Sequence, residues 1–180
     1  MAGRRTFLLV GAVAAVAAAA GVGTQVWRGR ADARDAAAAR ALFALTLPDP
    51  GGAQQPLSQW AGQPLVVNFW APWCAPCVEE MPDLQSVRDE YRSRGLEIIG
   101  VGIDSAAHIR QFRDDHLITL PLLVAGAEGT SISDQLGNRA GVLPYTVLIG
   151  AEGRVLERKV GRIRPEELRQ WLGTARALGG

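Results

Sequence analysis

The chain has 180 residues, 48% of them hydrophobic, which suffices for one domain with a sizeable core and is too short for two full domains. Nineteen Lys and Arg residues against 18 Asp and Glu leave a net charge of +1, so there is neither a cationic surplus to neutralise a phosphate backbone nor an acidic tail, and nucleic-acid binding has no support. The only two cysteines, Cys74 and Cys77, stand three positions apart, which leaves no thiol for a structural disulfide framework or a tetrathiolate zinc site.

Arg4 and Arg5 precede an apolar run over residues 7–27, about 30 Å long as a helix and therefore able to span a bilayer. It reads as an uncleaved anchor ending at an interfacial Trp27, with a cleaved signal peptide cut near Ala18-Ala19-Ala20 as the alternative. On either reading the positive end stays in the cytoplasm and the remainder is exported. Residues 28–42 are rich in Ala and Arg with no core-forming stripe and read as a linker, so the folded domain is expected over residues 43–180.

Residues 65–71, Leu-Val-Val-Asn-Phe-Trp-Ala, form a short apolar run between Pro64 and Pro72 and read as a buried central strand. After Cys77, Val78, Met81, Leu84, Val87 and Tyr91 recur at helical spacing, with Pro82 interrupting the ladder. A buried strand over 96–103, a polar helix over 106–116 and a short strand over 120–125 continue a β-α-β-α-β progression, which implies parallel strands with helices on the faces. The region 126–141 supports no assignment beyond a short helix near 133–136. Strands over 145–149 and 155–160 then flank the hairpin signal Gly150-Ala151-Glu152-Gly153, and Pro165 opens a closing amphipathic helix. A parallel half, an antiparallel hairpin and a last helix is the order of a thioredoxin fold: an α/β domain with a central mixed sheet flanked by helices, here preceded by a transmembrane or signal helix.

A Cys-x-x-Cys at a helix start puts both sulfurs on one face, with the first exposed at the positive end of the helix dipole. Cys74 is thus expected to be the attacking thiolate and Cys77, one turn further in, the resolving thiol. His108 and His116, eight apart on another element, do not complete a metal site and read as solvated surface. Trp73 adjoins the attacking thiol and is a candidate substrate contact, whereas Trp70 reads as core packing.

Trp73-Cys74-Ala75-Pro76-Cys77 after a strand, then Glu80-Met81-Pro82, then Gly141-Val142-Leu143-Pro144-Tyr145-Thr146 before a hairpin, resembles the membrane-anchored TlpA/ResA/CcmG branch of thioredoxin-like proteins over about residues 43–178. The resemblance implies a cis bond before Pro144, placed across from the cysteines, with Leu143 and Pro76 beside the substrate. Asn68 stands where cytoplasmic thioredoxins carry a buried acid. Glu80, on the helical face of Cys77, matches the acid that ResA-like proteins place beside their cysteines, and its expected role is proton transfer in the resolving step; Glu79 reads as an exposed first-turn acid. The expected activity is extracytoplasmic thiol:disulfide exchange, reducing exported proteins in cytochrome c maturation or copper-site assembly, with no cofactor beyond the Cys74–Cys77 disulfide. Expected partners are exported disulfide substrates and a transmembrane thiol reductant of the DsbD/CcdA type, with the chain itself a monomer. Ala75-Pro76 carries no charge or imidazole to over-stabilise the Cys74 thiolate, which favours the reductase direction. A Cu(I) metallochaperone using the same pair and a thiol peroxidase are the alternatives.

Overall fold

The computed structural model describes residues 25, 27 and 29–173. Two compact units divide the chain, residues 1–35 and 36–180. In the first, the described residues are helical and Trp27 is exposed. No helix among the described residues is long and apolar enough to cross a membrane. Apart from Gln25 and Trp27, the apolar run read as anchor or signal lies outside the described residues.

The second unit begins earlier than the sequence suggests. Residues 36–43 are helical, and Ala39 and Leu42 are buried in one core cluster with Leu65, Val67 and Phe69. The expected boundary at Phe43 is therefore corrected: part of the supposed linker belongs to the core. Ala39 and Leu42 share a helical face, but two contact positions among Ala and Arg are too few to register as a stripe.

Two short strands, β1 (Thr46–Pro48) and β2 (Gln54–Pro56), pair antiparallel as a separate ribbon. Its turn is held by the Asp49 carboxylate, which accepts from the backbone N–H of Gly51 and Ala53 at 2.8 and 3.0 Å. The main sheet follows from β3 (Leu65–Trp70), β4 (Glu97–Gly102), β5 (Leu122–Val124), β6 (Tyr145–Ile149) and β7 (Val155–Val160), in the order β5-β4-β3-β6-β7. β3 runs parallel to β4 and antiparallel to β6, placing Asn68 opposite Gly100 on one side and Thr146 on the other. Every residue of β3 is buried, as expected of a central strand covered on both faces.

Among the described residues after β2, the α-helices are α1 (Ala75–Tyr91), α2 (Ala106–Asp115), α3 (Glu128–Gln135) and α4 (Pro165–Leu172). α1 starts directly on the cysteine turn, with Pro76 in its first turn where a missing N–H costs nothing. Pro82 does not end it; the proline sits on the exposed face and α1 runs 17 residues. Met81, Leu84 and Val87 bury the other face, each contributing about 1.5–3 kcal/mol of hydrophobic stabilisation. The Arg88 guanidinium forks onto the Glu97 carboxylate, tying α1 to β4. Within α3, expected only near 133–136, Gly129 packs so closely that a Cβ would lie 2.7 Å from Ile103 Cγ1. That glycine, which the close approach requires, also made the segment look irregular in sequence.

Candidate active site

The C-terminal end of β3 delivers the chain to the cysteine turn, where the Cys74 N–H donates to the Ala71 carbonyl and the Cys74 carbonyl accepts from Cys77 and Val78 at 2.9 and 3.1 Å. Cys74 is the N-cap residue of α1 and is disulfide-bonded to Cys77, with Cα atoms 5.2 Å apart. The expectation of an exposed first sulfur needs correction. Cys74 is only 7% exposed and Cys77 is 0% exposed. In the bonded state the partner sulfur and the surrounding core residues cover Cys74, and the order of accessibility survives while its size shrinks. The surface at this turn is presented by Trp73, 68% exposed, together with exposed Ala75 and Pro76.

Glu80 lies one turn beyond Cys77 and is 0% exposed. Its Oε1 accepts from Asn68 Nδ2 at 2.7 Å, and its Oε2 accepts from the backbone N–H of Ile163 at 2.9 Å. Burial pushes the Glu80 carboxyl up to about 7, against the lowering effects of the Ile163 N–H, the Asn68 amide and the Arg162 charge. A carboxyl poised there can both hold and release a proton at neutral pH. Asn68, read in sequence only as the absence of an acid, is the hub of this arrangement: its Nδ2 also donates to Thr146 Oγ1 at 3.0 Å, while its Oδ1 is buried with no hydrogen-bond partner.

The Leu143–Pro144 bond is cis, as the resemblance implied. Pro144 is buried, and its carbonyl accepts from the N–H of Gly161 at 2.8 Å. Leu143 is half-buried and packs against the core cluster that holds both cysteines. Trp70 is fully buried, its ring centroid 4.7 Å from that of Phe112, and its indole N–H has no partner. Glu79 is exposed and takes a hydrogen bond from Arg162. His108 is exposed and bonded to Asp104, whereas exposed His116 stacks on the Phe112 ring at 4.2 Å, a contact not foreseen for a solvated residue. Among the described residues no group of three or more His, Cys, Asp or Glu side chains is arranged to hold a metal ion.

Arg162 and Ile163 escaped the sequence reading. They lie 79 to 83 residues from the acids they touch, and no local pattern marks them.

The sequence pattern of the AhpC/TSA family matches residues 38–158. The chain belongs to the AhpC/TSA family. Within this thioredoxin-like family it is 30% identical over 129 residues to the thiol-disulfide oxidoreductase ResA of Geobacillus thermodenitrificans, covering 70% of this chain and 71% of that protein. Among solved structures, a thiol:disulfide interchange protein of the thioredoxin family from Chlorobium tepidum superposes with a TM-score of 0.65 at 24% identity, over 75% of this chain and 93% of that one. A secreted Mycobacterium tuberculosis disulfide oxidoreductase superposes with a TM-score of 0.62 at 19% identity, over 73% and 96%. At those identities the superpositions carry the fold, which is the thioredoxin fold expected from the order of elements. With the ResA relative and the bonded Cys74–Cys77 pair, this member of the family is a thiol:disulfide oxidoreductase.

Proposed function

We propose that this protein reduces disulfides in exported polypeptides on the periplasmic face of a bacterial inner membrane, held there by residues 7–27. The observation that carries the mechanism is the asymmetry of the pair: Cys74 caps the helix beside an exposed Trp73, and Cys77 is sealed in the core one turn from a buried carboxyl.

In the reduced protein the Cys74 thiolate attacks one sulfur of a substrate disulfide. A Cys74–substrate bond forms, the substrate S–S bond breaks, and the other substrate sulfur leaves as a thiolate. The Glu80 carboxylate then takes the proton of the Cys77 thiol. The resulting thiolate attacks Cys74 Sγ, the mixed disulfide breaks, the Cys74–Cys77 bond forms, and the second substrate sulfur leaves as a thiolate that is protonated. Two electrons pass to the substrate, and a transmembrane thiol donor of the DsbD/CcdA type restores the dithiol. Trp73, Pro76, Leu143 and Pro144 form the substrate contact surface in this reading. Apocytochrome c and copper-site assembly factors are the substrate types that the family resemblance suggests, and the apolar run over residues 7–27 supports an extracytoplasmic setting.

The uncharged Ala75-Pro76 pair supports the reducing direction. Equilibration of the full chain with glutathione buffers tests it. The expected potential lies near the about −270 mV of a reductant, and a value near the about −120 mV of a strong oxidant would reverse the assigned direction.

A further inference from the structure

The loop between β7 and α4 holds the second hydrogen-bond donor to Glu80, and its position is fixed from two sides. At its start the Gly161 N–H donates to the Pro144 carbonyl at 2.8 Å. Gly161 has φ +81°, a left-handed turn that glycine adopts without strain and that redirects the chain from the sheet edge toward α1. Arg162 then spreads its guanidinium over two carboxylates of that helix, Nη1 donating to Glu79 Oε2 at 2.5 Å and Nη2 to Asp83 Oδ2 at 3.1 Å. Those two acids bracket Glu80 in sequence, and the next residue of the loop, Ile163, places its N–H on Glu80 Oε2.

We propose that Arg162 is a positioning residue for disulfide exchange: its fork on Glu79 and Asp83 clamps the loop to α1 so that the Ile163 amide stays seated on Glu80. The inference rests on the proton-transfer role of Glu80 proposed above. As a pair of ion pairs the fork contributes little stability, because all three side chains are partly exposed and screened. Its consequence lies in geometry. A planar guanidinium bonded to two acids on one helix defines the distance and orientation of the residue that follows it.

The groups acting on Glu80 come from each element packed around it. Cys77 lies on its own helix; Asn68 donates from β3 and is itself bonded to Thr146 of β6; Ile163 donates from the loop; Arg162 favours the carboxylate and Asp83 opposes it. Releasing the clamp removes a donor and moves a positive charge away, and both changes favour protonated Glu80.

The test is the reaction of the reduced full chain with Ellman's reagent, followed by stopped flow across pH. Attack by Cys74 releases the first thionitrobenzoate and resolution by Cys77 releases the second. In Arg162→Met the midpoint of the second phase is expected to rise by ~1 pH unit, slowing that phase ~5-fold at pH 7, while the first phase is unchanged. Arg162→Lys should restore part of the shift. In a Glu80→Gln background, Arg162→Met should have no further effect on the profile. If Glu80→Gln alters the second phase but Arg162→Met reproduces the wild-type profile, the clamp is overturned while the role of Glu80 stands. If Glu80→Gln itself leaves the profile unchanged, the underlying reading fails and the inference falls with it.

Discussion

Glu80 is the residue to which the proposed mechanism assigns proton transfer, and its environment makes a stability prediction independent of any substrate. Its carboxyl is raised from an ordinary 4.5 to about 7, with burial as the main cause. Between those values the folded protein binds a proton that the unfolded chain has released. The associated stability is fully present below about 4.5 and is lost as pH rises through about 7. Between pH 5 and pH 8 the oxidised protein should lose about 2–3 kcal/mol from this group, measured by urea denaturation, and Glu80→Gln should lose much less. Equal losses in the two proteins would show that Glu80 is not a buried acid. The i+3 spacing puts this side chain on the helical face of Cys77, and the resemblance to ResA-like proteins is what singled it out as the acid beside the cysteines. Asn68 was harder to read: its hydrogen bonds reach a helix 12 residues on and a strand 78 residues on, and only the register of β3 with β6 brings them together.

At the scale of elements, the long strands and α1 were readable because burial imposes a pattern over five or more residues, and β6, β7 and the start of α4 fall where the hairpin signal and Pro165 put them. Shorter pieces were read unevenly: three-residue β5 falls inside the short strand expected over 120–125, whereas β1, β2 and most of α3 were not foreseen. β1 and β2 have three residues each, too few for any periodicity, and α3 is punctuated by a glycine whose reason is a neighbour 26 residues earlier. The end of α2 offers a test of local backbone chemistry. Leu117 follows the last turn with φ +53° and is 78% exposed, so a bulky apolar residue occupies a left-handed position usually given to glycine. The neighbouring Ile118 N–H donates to the Arg113 carbonyl, closing the helix end around it. Leu117→Gly should therefore stabilise the protein by about 1 kcal/mol in thermal or urea unfolding, since no buried contact is lost and the strained conformation is relieved. A destabilisation of similar size would mean that the side chain makes a contact that outweighs the strain.

Across the whole molecule, the sheet converts distance in sequence into one site. β3 ends at the cysteines, the segment before β6 carries Pro144, and the loop after β7 closes on Glu80, so the active turn is assembled from three segments between residues 68 and 163. A single central strand paired with both β4 and β6 makes this possible, and the same strand separates the core cluster around the cysteines from the cluster that contains Ala39 and Leu42. The asymmetry between Cys74 and Cys77 is the central claim, and trapping tests it most directly. Full-length Cys77→Ser and Cys74→Ser proteins, produced with their N-terminal segments and recovered under acid quench, should differ when examined by mass spectrometry. Cys77→Ser is predicted to carry exported proteins as mixed disulfides on Cys74, while Cys74→Ser carries none. Adducts confined to Cys77 in the Cys74→Ser protein, or none on either variant, would contradict an attacking Cys74 resolved by Cys77.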